Sequence, residues 1–313
     1  MNKKLLVVAV AGALALPMAA NAASKVYGTV HVAVEQQDEE EMVVSGSGRK
    51  GSNIGIKGSM DTNLADLKAI YKFEAGMNIG EKGGLINERD SWAGLKSKSM
   101  GTVRVGTMAT PYKASGKLAD PMFSTTFEAR SNVLQMASKL HGGLGAEAGR
   151  ATQSIRYDSP SISGAKIAVQ YMFDDDADNS MAAGLTWKNK MYAAAFDYVK
   201  LGKKDVTAMK ISAQAKMSGA TVGFAYEIDD DKDGAYSVSR NADNGNQATV
   251  SVTYAVGSTV PGITIGKNDE NLGYALYVKQ KLAKKMYAYV GYGDSGADGD
   301  GQSIYSGGLK YKF

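Results

Sequence analysis

The sequence has no cysteine at all, and only two histidines, two tryptophans and five prolines in 313 residues. Lack of cysteine excludes a disulfide scaffold, a thiol nucleophile and a thiolate metal site. With histidine confined to His31 and His141, nucleophilic catalysis driven by an imidazole base has almost nothing to work with. Pro111, Pro121, Pro160 and Pro261 all fall in segments that read as connections, where a missing N–H breaks no ladder. Beyond the N-terminus there is no apolar run of the ~20 residues that a membrane helix needs. That absence leaves a strand-built membrane protein open, because alternating strands have unremarkable mean hydropathy.

What is present begins with an export signal. Lys3 and Lys4 precede an apolar run from Leu5 to Leu16, a break at Pro17, and Ala20, Asn21 and Ala22, which fit a signal-peptidase site. Residues 1–22 are therefore expected to be a cleaved signal peptide, and 23–313 the mature domain. Removing Lys3 and Lys4 from 36 basic residues leaves 34 against 32 acidic ones, so nothing suggests a nucleic-acid partner.

From Lys25 the chain alternates. Val26, Val30, Val32 and Val34 fall on one face and Tyr27, Thr29 and His31 on the other, the pattern of a strand with one apolar side. The same grammar recurs at Asn53 to Met60, Leu67 to Met77, Glu88 to Lys96 and Thr102 to Met108. It resumes at Thr152 to Ser159 and runs through ten further segments to Ser303 to Phe313. The shortest of these, Ile263 to Gly266, brings the total to sixteen, and even numbers suit outer-membrane barrels. Odd-numbered connections tend to be long and acidic, as at Glu39 to Glu41, Asp174 to Asp176 and Asp229 to Asp231. Even-numbered ones are short, as at Asn189 and Lys190. Leu201 to Lys204 and Lys267 to Asn271 are short exceptions. Long loops on one side and tight turns on the other are what transmembrane barrels show.

The longest connection, 109–150, has internal order: Val133, Met136, Ala137 and Leu140 recur at helical spacing before His141, Gly142 and Gly143. A connection of that length in a compact domain is usually either functional or a sign that the element assignment is wrong. At the other end of the chain Tyr305, Leu309, Tyr311 and Phe313 share one face, with Lys310 and Lys312 opposite. A terminal ring on a lipid-facing strand joins an aromatic girdle; on a soluble sandwich it would be an exposed edge. The expected fold is all-β, a 16-stranded antiparallel transmembrane barrel whose third external loop folds inward.

The segments from Arg89 to Lys96, Gly101 to Gly106 and Ser154 to Pro160, with the terminal Tyr311 and Phe313, resemble the general-diffusion porins of Gram-negative outer membranes. That resemblance implies a trimer of barrels passing small hydrophilic solutes and ions, set among outer-membrane lipid and lipopolysaccharide. It also implies that the barrel-assembly machinery reads Tyr311 and Phe313. Arg89 and Arg150 match the family's wall arginines, and Asp120 and Glu128 lie in the loop that usually supplies the facing acids. Lys57, Arg104 and Arg156 complete the expected pore-lining set. Asn53 stands where the family often has arginine, so selectivity is not carried over.

Two motifs compete with this reading. Gly291 to Gly296 (GYGDSG) satisfies a dinucleotide fingerprint and contains a serine-protease loop string, but another strand follows instead of a helix, and the histidine base is missing. Asp229 to Gly234 (DDDKDG) opens like an EF-hand, but its twelfth position is Arg240 rather than glutamate. No catalytic residue, cofactor or metal site is expected, and the protein reads as a non-enzyme. A substrate-specific channel and a plugged adhesive surface barrel remain as alternative functions.

Overall fold

The computed structural model describes residues 22–38, 40–46, 51–80, 85–129, 149–174, 178–202, 205–230, 246–267, 272–296 and 303–313. Residues 1–21 of the predicted signal peptide, the helix expected after Val133, and the region of His141 lie outside them. So do most of the acidic connections.

The chain opens with β1 (Ala22–Gln37), β2 (Val43–Ser45), β3 (Asn53–Asp61), β4 (Leu67–Met77), β5 (Leu85–Ser97) and β6 (Gly101–Ala109). A six-residue helix α1 (Pro111–Gly116) precedes β7 (Arg150–Asp158), β8 (Ala165–Met172), β9 (Ser180–Lys188), β10 (Tyr192–Leu201) and β11 (Val206–Met217). Then come β12 (Ala220–Asp229), β13 (Gln247–Tyr254), β14 (Thr259–Lys267), β15 (Leu272–Ala283), β16 (Met286–Asp294) and β17 (Ser303–Lys312). From β3 onward each strand pairs antiparallel with the next, β3 also pairs with β1, and β1 closes the ring against β17, with Val30 opposite Tyr311. The short β2 adds no stave. It pairs Val43–Ser45 with the end of β1 that β3 does not reach, so β2 and β3 share one edge. The result is a closed barrel of sixteen staves, and closure leaves no unpaired edge.

All sixteen sequence-read strands are present. Their ends differ most at β14, which runs from Thr259 rather than Ile263 and so takes in Pro261, expected in a connection. Proline is tolerated there because the β13 ladder begins at Gly262; Pro261 lies beyond it and pairs on one side only, opposite Val278.

Burial runs inside out. On adjacent strands Phe196 and Ile211 are 46 % and 52 % exposed, whereas Asp197 and Lys210 beside them are 0 % and 1 % exposed. The outer wall carries Val105, Ile155, Leu185, Val250 and Leu276, all exposed, and an apolar belt of this extent is stable only against lipid. The inner face holds His31, Glu35, Gln170, Glu227, Thr249, Ser251 and Lys310, all buried.

Candidate functional site: the charged waist of the barrel

The chain enters the barrel at α1. Thr110 caps it, its Oγ1 accepting from the Lys113 amide at 3.1 Å, and Pro111 follows where a missing N–H costs nothing. From there residues 117–129 run across the interior in mostly irregular conformation, which leaves backbone carbonyls needing donors. The wall supplies them. Lys210 of β11 donates to the Tyr112 carbonyl, and Gln214 donates to that of Leu118 at 3.1 Å. Lys279 of β15 reaches Pro121 O at 3.1 Å, and Lys310 of β17 reaches Phe123 O and Ser124 O at 3.0 and 2.9 Å. Ammonium donors make the stronger, charge-assisted bonds. Further anchors hold both ends of the segment. Ser115 donates to Asp197, Thr126 to Glu35, and Ser306 to Thr126 at 3.1 Å; Tyr289 stacks on His31 with their polar atoms 2.8 Å apart. Burial pushes the Tyr112 phenol well above its ordinary pKa, and the neighbouring Glu227 carboxylate adds to it, so the ring stays neutral.

These anchors lie on the arc from β10 round to β1. On the remaining arc, strands β3 to β7 bring together a cluster of six cations, Lys57, Lys72, Arg89, Arg104, Arg150 and Arg156, and three carboxylates, Glu74, Asp90 and Asp158. Arg89 pairs with Glu74, and Lys72 lies 3.2 Å from Glu74 and 2.7 Å from Asp90. Arg150 Nε reaches Asp90 at 2.8 Å. Arg104 and Arg156 face each other directly across β6 and β7, a repulsive placement relieved because both bind Asp158, Arg156 at 2.7 Å. Arg104 also lies 5.1 Å above the Trp92 ring. Lys57, exposed on β3, sits 4.9 Å over the Tyr27 ring.

Every residue expected at the pore lies inside the barrel, but in two groups. The basic residues sit on one arc; the four arginines bind carboxylates of the wall strands, and Lys57 lies over the Tyr27 ring. Asp120 and Glu128 belong to the inward segment and bond its own amides: Asp120 accepts from Met122 N and Ala129 N at 3.0 and 2.8 Å, and Glu128 from Ser124 N at 2.8 Å. Tyr311 and Phe313 lie outside, at the closing seam. Sequence reasoning missed Lys72, Glu74, Asp90 and Asp158. The spacing of two between Lys72 and Glu74 marks one strand face, but strand pairing is needed to bring them to Arg89. The GYGDSG motif lies largely in β16, and among the described residues no His, Asp and Glu groups form a metal site.

The sequence matches the family model of Gram-negative porins over residues 7–312. This chain is a Gram-negative porin. Its relatives include the major outer membrane protein P.IB of Neisseria gonorrhoeae, 31 % identical over 66 % of this porin and 60 % of the relative. The P.IB protein of Neisseria meningitidis serogroup B is 28 % identical over 84 % and 81 %. This porin thus spans about 60 % of the gonococcal relative it matches. An anion-selective porin from Comamonas acidovorans superposes with a TM-score of 0.69 at 18 % identity, covering 93 % of this porin and all of that chain. A Salmonella typhi OmpF structure gives 0.72 at 13 %, covering 93 % and 97 %. Family and exterior together place this porin in the Gram-negative outer membrane.

Proposed function

We propose that this porin is a passive, water-filled channel for small hydrophilic solutes and ions, not an enzyme, and that it works as a homotrimer. The observation that carries the reading is the inverted wall: an apolar belt outside, charged side chains inside, and an inward segment fastened to one arc while the opposite arc carries a cluster with more cations than carboxylates. Six cations against three carboxylates in that cluster favour anions, since charged rings at close quarters select ions and a low-dielectric wall focuses their field. Residues 1–22 act as a cleaved export signal in this reading. Lipopolysaccharide surrounds the barrel, and the assembly machinery reads Tyr311 and Phe313.

The test is single-channel recording in a planar bilayer with a salt gradient. Stepwise ohmic conductance with a reversal potential on the anion side is expected. A folded protein that gives no steps would instead support a plugged, structural barrel. Saturation of the current by one solute class would support a substrate-specific channel.

A further inference from the structure

Among the described residues, charge is distributed unequally between the two mouths. At the end bearing the short connections, strand after strand finishes on an exposed lysine whose side of the strand is the inner one. Lys216 shares its face of β11 with Gln214 and Lys210, which grip the inward segment, and Lys312 shares its face of β17 with Lys310. Lys281 follows Lys279 in the same way on β15. On the other side of the mouth Lys68 lies in line with Lys72, Lys96 with Trp92, and Lys25 with Tyr27. Lys166 and Lys188 fill the sector between, on the faces of β8 and β9 shared by Gln170 and Gly184.

Carboxylates are few here. The exposed ones among the described residues of this end are Asp61, bound to Lys68 at 2.7 Å, and Asp66 in its turn. Some lysines are direct neighbours: Lys25 is registered against Lys57, Lys57 against Lys72, and Lys68 against Lys96. Like charges placed directly opposite destabilise a sheet; Lys68 and Lys72 have carboxylate partners, and an anion at the mouth would offset the charge of Lys25, Lys57 and Lys96. Among the described residues the far mouth carries more acid than base: Glu40, Glu41, Asp178, Asp205 and Asp230 are exposed there, with Lys267 and with Lys200, which binds Asp205 at 2.9 Å.

We propose that this inward lysine ring is a capture site for small multivalent anions of the phosphate class, and that it makes the pore take them up from the short-turn side. Lysine suits the task as a compact, mobile charge with three donors that adapts to phosphate oxygens. Walls of low dielectric concentrate the field into the mouth, and at physiological salt lysines within the ~8 Å screening length of one another and of the anion act together. The proposal rests on the open-channel reading for transport, but binding at the ring does not.

The test uses the full-length porin in a planar bilayer, with pyrophosphate added to one side and then the other. A Lys190→Cys variant identifies the sides with an impermeant thiol reagent, because the chain has no other cysteine. Pyrophosphate on the short-turn side should depress the chloride current at a concentration about tenfold lower than on the loop side. Lys68→Gln, Lys96→Gln, Lys188→Gln and Lys216→Gln combined should abolish that sidedness and leave the open-channel current within about twofold. Equal block from both sides in the wild type, or sidedness kept by the fourfold variant, overturns the proposal. Calorimetric titration of pyrophosphate into detergent-solubilised protein separates the two readings. Heat of binding that the fourfold variant loses, in a protein that conducts nothing, upholds the ring and overturns the channel. No binding heat in a conducting wild type overturns the ring alone.

Discussion

At the scale of single residues, the charges inside the barrel divide into those that face the passage and those that hold its furniture. Asp120 belongs to the second kind, because both oxygens accept backbone amides of the inward segment. Asp120→Asn should therefore weaken the segment, costing about 1–3 kcal/mol as a buried acceptor is lost. Single-channel recording should show noisier current with little change in reversal potential. Arg89→Gln combined with Arg104→Gln removes two charges from the cationic arc and keeps a donor near Glu74 and Asp158. The reversal potential should move toward cations while conductance keeps its order of magnitude; an unmoved reversal potential would reduce these arginines to braces.

A third residue sets an acid limit. Asp66 stands at φ 62° in the turn between β3 and β4, and its carboxylate accepts from Ser97 Oγ at 2.7 Å, Ser99 Oγ at 2.8 Å and the amides of Ser99 and Lys98 at 3.2 Å. Those bonds, the Ser97 hydroxyl first, hold its pKa well below the usual carboxylate value. A folded pKa below the unfolded one gives stability that is complete above the unfolded value, about 3.9, and drains away as pH falls beneath it. Asp66→Ala should thus lower barrel melting temperature at pH 7 and leave a smaller difference from wild type in strong acid.

At the scale of elements, α1 and the segment behind it depend on backbone contact with the wall. Thr110→Ala removes the helix cap and should cost about 1 kcal/mol, read as a lower melting temperature. Gly223 on β12 is a second point of dependence: a Cβ there would stand 2.5 Å from Leu118 O and 2.8 Å from Ala119 Cα. Gly223→Val should push the segment off the wall and alter single-channel conductance, while the barrel still forms, since valine suits a strand. Strand positions were legible in the sequence because alternation is a local signal. The helix α1 was not foreseen, although Thr110 and Pro111 are its start signal. Six residues are too few to show a helical period, and the geometry depends on Lys210 and Asp197, about a hundred residues away in sequence.

At the scale of the whole molecule, the barrel holds because its two ends meet. Phe313 N donates to Gly28 O at 3.1 Å and Gly28 N to Phe313 O at 3.4 Å, and the Phe313 ring lies where a Gly28 side chain would be. Gly28 is therefore the partner that makes room for the terminal ring at the seam. Deletion of Phe313 should sharply reduce heat-modifiable barrel in the outer membrane, and Gly28→Val should do the same without touching the C-terminus. Wild-type levels in both would show that the seam needs neither.

The sequence by itself determined the barrel: alternation chose strands, their even number and the unequal connections chose a closed membrane ring, and the terminal aromatics marked its lipid face. It also determined which residues are charged and on which face, since parity along a strand is local. Only the tertiary structure decided which charge meets which. Arg89 meets Glu74, Arg104 shares Asp158 with Arg156, and Asp120 accepts from amides of its own segment. The reason is register. Pairing across strands depends on where each turn sets the next strand, and a shift of one residue exchanges the inner and outer faces. The lysine ring has the same origin, since residues scattered from 25 to 312 become one mouth only when the sixteen staves are aligned.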